Sequence, residues 1–261
     1  MKHFRPRLSR RAFWVLCALL VCLRLALTGF QQAYIWVGGA PLDDELMFRA
    51  ANHITAGQWL GAYDYLTLSK AMFFPVWLAL LHALHLPYLI SGAALWCGAA
   101  LLAAFAFSTL WRKKDPAQGR VLTLGLFAAL AFLPSSWAAY TLRVYRDNIF
   151  PALCLYFFAG VAGMALRAVL TPEKPLWPWL AAAGAGLACG YLDREDAGLF
   201  LLPFAAAASV IVAVVLAGKR RWKALAAQVI PYVMLGVGVL TFCTLNYTHY
   251  GVFALSDFSE G

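Results

Sequence analysis

Eight apolar runs follow one another along this chain, at about 12–34, 71–87, 88–110, 121–140, 149–170, 176–192, 197–217 and 224–247, separated by polar or charged breaks. Several reach the roughly 20 residues that carry a helix across a hydrocarbon core. Composition agrees: 13% of residues are charged and 63% apolar, against roughly 25% and 45–50% in water-soluble domains. With lipid as solvent, backbone polar groups must be satisfied inside the protein, which selects helices. The expected class is all-α, a polytopic membrane protein.

Charge placement decides how many runs cross. If all eight did, the break carrying Arg112, Lys113, Lys114 and Arg120 would lie on the side opposite the basic N-terminus (Lys2, Arg5, Arg7, Arg10, Arg11), against the positive-inside tendency. Run 71–87 is short, carries His82 and His85 and ends at Pro87 with almost no loop before the next run. It is expected as an interfacial or re-entrant helix, which leaves about seven transmembrane helices. These two clusters, Lys174, and Lys219, Arg220, Arg221 and Lys223 then share the cytoplasmic side. The N-terminal run continues past Leu25 without a small-residue cleavage site, so it reads as an uncleaved first span.

The same assignment sends Asp43, Asp44, Glu45, Asp64, Asp147, Asp193, Glu195, Asp196, Asp257 and Glu260 outside, ten of the twelve acidic residues. Acidic residues do little to set orientation, so this segregation needs a separate explanation. The net charge of +9 does not point to nucleic acid, because the basic residues fall in short clusters between apolar runs. Cys17, Cys22, Cys97, Cys154, Cys189 and Cys243 all sit inside apolar runs without zinc-site spacing, and read as small buried hydrophobes.

The longest break, 35–70, is the first outer loop. Leu46, Met47, Ala50, Ala51 and Ile54 have the spacing of a short interfacial helix with Asp43 and Asp44 at its N-terminus. Those two carboxylates read either as a general base or ligands of a hard divalent cation, or simply as helix caps. Lys70, Arg143, Arg146 and Arg194 read either as a grip on phosphate or as loop ion pairs with Asp147, Glu195 and Asp196. His53, His82 and His85 fall on the same side and are expected as interfacial histidines rather than metal ligands. Arg24, inside the first span, is expected to snorkel or pair within the bundle.

Leu42-Asp-Asp-Glu, Gln58-Trp-Leu-Gly-Ala-Tyr, Leu68-Ser-Lys and Pro75-Val-Trp-Leu-Ala-Leu-Leu-His resemble the first outer loop of GT-C membrane glycosyltransferases. Tyr145-Arg-Asp-Asn and Asp193-Arg-Glu-Asp-Ala-Gly-Leu-Phe-Leu-Leu-Pro are similar to their later charged segments. The resemblance implies a seven-span module over 1–261, corresponding to the N-terminal part of longer members. It implies transfer of a sugar from a polyprenyl-phosphate-type lipid donor to an acceptor, which the sequence does not identify. The place would be the outer face of a membrane, expected to be the bacterial inner membrane with the N-terminus cytoplasmic. By the same analogy Asp43 and Asp44 are catalytic or hold a Mg or Mn ion, and Asp147 is a secondary acidic position. Lys70, Arg143, Arg146 and Arg194 are placed near the donor phosphate by their charge more than by motif, and Asp147 and Glu195 are expected to bind substrate with them. A transporter or lipid flippase, and a non-catalytic subunit of envelope assembly, are the competing classes.

Overall fold

The structure, a computed structural model, describes residues 7–36, 38, 39, 41–111 and 115–257. Lys2, Arg5, Arg112, Lys113, Lys114 and Glu260 lie outside the described residues. The described chain is helical and contains no strand; Tyr34 and Arg143 form one isolated bridge.

Helix α1 (Arg10–Gly29) begins where the Ser9 hydroxyl accepts the Ala12 amide. It buries Phe13, Cys17, Arg24 and Thr28 and leaves Trp14, Val15, Leu19, Leu23 and Leu27 exposed. In water an apolar face of that extent would demand a partner. Helix α2 (Pro41–Thr55) caps one end of the bundle, followed by α3 (Phe73–Ala83) and α4 (Tyr88–Ser108). Asp115 caps α5 (Pro116–Ala131) by accepting the amides of Ala117 and Gln118. The chain then bends by 45° into 134–142, which includes α6 (Ala139–Leu142). Helices α7 (Phe150–Leu170), α8 (Trp177–Asp193), α9 (Gly198–Gly218), α10 (Trp222–Ala226) and α11 (Ile230–Tyr250) complete the described order.

Five helical segments are long and apolar enough to cross a membrane, and α5 with its bent continuation makes six. The exposed side chains of α9 (Val210, Ile211, Val214) and α11 (Val233, Val237, Leu240) are apolar like those of α1, as an integral membrane protein requires. The difference from the expected seven is α8. At 17 residues it spans about 26 Å, short of a hydrocarbon core of about 30 Å. It nevertheless lies antiparallel to α7 along most of that helix and packs on α11 as well. Glycines permit the close approach: a Cβ on Gly160 would overlap the backbone of Ala183, and one on Gly186 the backbone of Phe157. Helix α3, with 11 residues, covers only about 16 Å and cannot cross.

The two ends of the bundle differ in charge. At one end the Leu8 amide bonds the Ala117 carbonyl, the Arg120 Nε bonds the Leu8 carbonyl, and Lys219 Nζ caps the carbonyls of Ala168 and Val169. This is the basic end, where Asp115 and Glu173 also lie. The nine other described acidic residues are at the opposite end. There the segment 30–72 folds over the bundle: Leu46, Ala50, Trp59, Leu60, Leu68 and Met72 form one buried cluster with Leu192 and Phe242. Gly57 and Gly61 take positive φ (74° and 93°), which turns the chain back after α2. Asn246 of α11, buried, accepts from Trp59 Nε1 at 2.8 Å and donates to the Ala254 carbonyl at 2.7 Å. The loop is therefore fastened to the last helix.

Candidate functional site

At the acidic end three separate segments meet: the start of α2, the stretch 143–148 before α7, and the step between α8 and α9. Asp43 and Asp44 are adjacent in the first turn of α2, and helical geometry turns them by about 100° relative to each other. They therefore serve different partners.

Asp44 points inward and is 2% exposed. Its Oδ1 accepts Arg143 Nε at 2.9 Å and also Arg143 Nη2, and its Oδ2 accepts the Trp36 amide at 2.6 Å. The Arg143 guanidinium lies against the rings of Tyr145 (4.3 Å) and Trp36 (5.3 Å). Its pairing with Asp44 raises the arginine's pKa further, against the opposing effect of burial. Main-chain bonds support the pair: Tyr34 N–H donates to the Leu142 carbonyl and Val144 N–H to the Tyr34 carbonyl.

Asp43 points the other way, with its side chain 36% exposed. Lys70 Nζ stands 3.6 Å from its Oδ1, and the Tyr145 hydroxyl lies at a long 3.4 Å from its Oδ2. That hydroxyl accepts from Arg146 Nη2 at 2.9 Å. Arg146 Nη1 in turn donates to Glu195 (2.8 Å to Oε2, 3.0 Å to Oε1) and to the backbone carbonyl of Asp193 at 3.1 Å. Glu195 Oε1 also accepts the amide of Ala71, the residue after Lys70. Asp43, Tyr145, Arg146, Glu195 and Lys70–Ala71 thus form a closed circuit drawn from four segments, the fourth being the stretch just before α3. Burial raises the pKa of the Tyr145 phenol, although Arg146 opposes the shift, so it stays protonated and can donate.

A second ion-pair group adjoins the circuit. Arg194 donates from Nη1 to Asp147 and from Nε to Asp196, both at 3.2 Å, with its guanidinium 5.1 Å from the Phe150 ring centre. The eight residues singled out by sequence therefore divide. Asp44, Arg143 and Arg146 are enclosed and paired with protein groups, although Arg146 Nε is buried without a partner, whereas Asp43, Lys70, Asp147, Arg194 and Glu195 keep partly open side chains. Tyr145, which joins Asp43 to Arg146, and Asp193, whose carboxyl is wholly buried, were not among the eight. Their sequence signals were membership of the two charged segments Tyr145-Arg-Asp-Asn and Asp193-Arg-Glu-Asp, which did not single either out.

Mg2+ is commonly held by one or two carboxylates together with substrate phosphates. Here Asp44 has both oxygens engaged by Arg143 and Trp36, so the expected pair of ligands is reduced to Asp43, beside which Lys70 already supplies a positive charge. No group of three or more His, Cys, Asp or Glu side chains among the described residues is arranged to hold a metal ion. His53 Nδ1 lies 3.0 Å from Gln58 Oε1, and the rings of His82 and His85 are 6.4 Å apart. Arg24 donates to the Ser136 carbonyl at 2.8 Å and stacks on Trp137 at 4.0 Å. No protein-family model, curated protein or solved structure matches this chain.

Proposed function

We propose that this chain is a GT-C-type glycosyltransferase module. In this reading it moves a sugar from a polyprenyl-phosphate-type donor to an acceptor hydroxyl at the acidic end of the bundle. The observation that carries the reading is the closed circuit. The partly open Asp43 and Lys70 are tied through Tyr145 and Ala71 to buried Arg146 and its partner Glu195, and the partly open Arg194 adjoins them.

Each role follows from exposure. Asp43 is the general base, because its oxygens are open and Asp44's are not. Lys70 and Arg194 are the cations available to a phosphate, while Arg143 and Arg146 position the segments that carry the others. On donor entry Lys70 exchanges its partner, leaving Asp43 for the phosphate and so freeing the carboxylate. The acceptor oxygen then bonds to the anomeric carbon as the bond from that carbon to the phosphate oxygen breaks. The electron pair departs on the polyprenyl phosphate, where Lys70 and Arg194 hold the developing charge, and the acceptor proton passes to Asp43. If a divalent cation takes part, Asp43 is the one residue of the expected pair free to ligate it.

The topology belongs to the same proposal. Helix α8 is read as the seventh crossing, with Asp193 reaching the acidic end beside Arg146, and the acidic end faces the exterior of a bacterial inner membrane. A transporter is the second reading, favoured by two ionisable side chains enclosed by the helices, Arg24 and Asp193. Membranes containing the chain, supplied with a panel of labelled polyprenyl-phosphate sugars, separate the two. A transferase releases polyprenyl phosphate, whereas a transporter moves the intact lipid or another solute without breaking a bond.

A further inference from the structure

A cavity of about 580 Å³ lies at the basic end, between the end of α4, the start of α5, the end of α7 and the start of α8. It is remote from the acidic cluster, and nothing in the transfer chemistry uses it. Its walls are of two kinds. Leu102, Phe105 and the face of Trp179 are apolar and belong to the spanning helices, while Arg167, Thr171 and Lys174 bring polar and cationic groups; with the carboxylate of Glu173 the lining keeps one net positive charge.

Three polar atoms of residues that line the cavity are buried without a hydrogen-bond partner: Arg167 Nε, Thr171 Oγ1 and Trp179 Nε1. Arg167 is otherwise held by the Pro175 carbonyl at 3.2 Å, by the Trp179 ring, whose centre is 5.4 Å from its guanidinium, and by the charge of nearby Glu173. Buried donors are nearly always satisfied, and each one left over costs free energy. All three can donate, and two are on residues that carry or stack against a full positive charge. What completes the set is an anion rich in acceptor oxygens, such as a phosphate group.

We propose that this cavity binds one anionic phospholipid from the leaflet at the basic end. The phosphate meets Arg167, Thr171, Trp179 and Lys174, and the first part of an acyl chain lies along Leu102 and Phe105. The apolar wall favours a lipid over free phosphate, since a soluble anion would leave that wall wet.

The test is native mass spectrometry of the full chain in a neutral detergent, with phosphatidylglycerol or phosphatidylcholine added at equal concentration. One tightly held phosphatidylglycerol per chain is expected, with no comparable phosphatidylcholine adduct. Arg167→Gln and Trp179→Phe should each lower its retention about tenfold, the second while keeping the aromatic packing and a monodisperse elution profile. Lys223→Gln, an exposed charge at the same end, should leave retention unchanged. Displacement of the lipid by millimolar inorganic phosphate would support the anion site but assign it to the free ion. Equal binding of the two lipids, or retention unaffected in both variants, would overturn the proposal.

Discussion

Asp44 and Arg143, 99 residues apart in the chain, form an ion pair sealed between the start of α2 and the segment leading into α7. Each depends on the other, because neither has water to replace a lost partner. Truncating one side of such a pair costs about 3–5 kcal/mol. Asp44→Asn and Arg143→Gln should therefore both lower the thermal midpoint in detergent, and the double variant should lose less than the sum of the two. Additive losses would mean that the pair is not coupled.

Asp193 supplies a prediction of opposite sign. Its carboxyl is 0% exposed and neither oxygen has a hydrogen-bond partner. What Arg146 takes from this residue is the backbone carbonyl, which any substitution retains. Removing a buried, unpaired polar group recovers roughly 1–3 kcal/mol, so Asp193→Leu should raise the midpoint. A fall would show that a partner, such as water or substrate, satisfies this carboxyl in the membrane.

Asp64 gives the fold a defined acid limit. The Leu66 amide bonds its carboxylate, and with Thr67 and Arg49 it holds the pKa below the ordinary value despite the opposing effect of burial. A depressed carboxylate stabilises the folded state fully above its unfolded pKa of about 3.9. That contribution is lost as pH falls through the lower, folded value. Amide exchange at Leu66 and Thr67, read by mass spectrometry, should show pH-independent opening from neutral down to about pH 5 and increased opening below about pH 3.9. An opening that begins near neutrality would contradict this account.

The α7–α8 contact tests the bundle itself. A side chain at Gly160 or Gly186 meets backbone rather than a flexible tip. Gly160→Leu should therefore cost at least the 1–3 kcal/mol typical of overpacking and separate α8 from α7. Crosslinking between cysteines placed at the two helices would report the separation. Unchanged crosslinking would mean that the two helices can move apart without loss.

How far the sequence could be read depended on the range of the interaction. The spacing of Leu46, Met47, Ala50 and Ala51 is local, and all four are buried on one face of α2. The brevity of 71–87 was equally visible and appears as the 11-residue α3. The split between Asp43 and Asp44 was not visible. Adjacent identical residues acquire different surroundings only because Trp36 and Arg143 close on Asp44 while Lys70 and Tyr145 approach Asp43. Tyr145 was hidden for the same reason, since its hydroxyl matters only once α2 and Arg146 have been brought together. The gap between seven and six spans comes from α8, where a run rich in glycine and alanine is tightly packed but one turn or so shorter than a hydrocarbon core.

The central claim is that Asp43, and not its enclosed neighbour, is the base of a transfer reaction. The most direct measurement is release of polyprenyl phosphate from a labelled lipid-linked sugar by full-length wild-type protein and by Asp43→Asn, both shown to be folded by their thermal midpoints. Loss of a positioned base should lower turnover by about 10²–10⁴-fold with the midpoint nearly unchanged. Full turnover in Asp43→Asn would contradict the account.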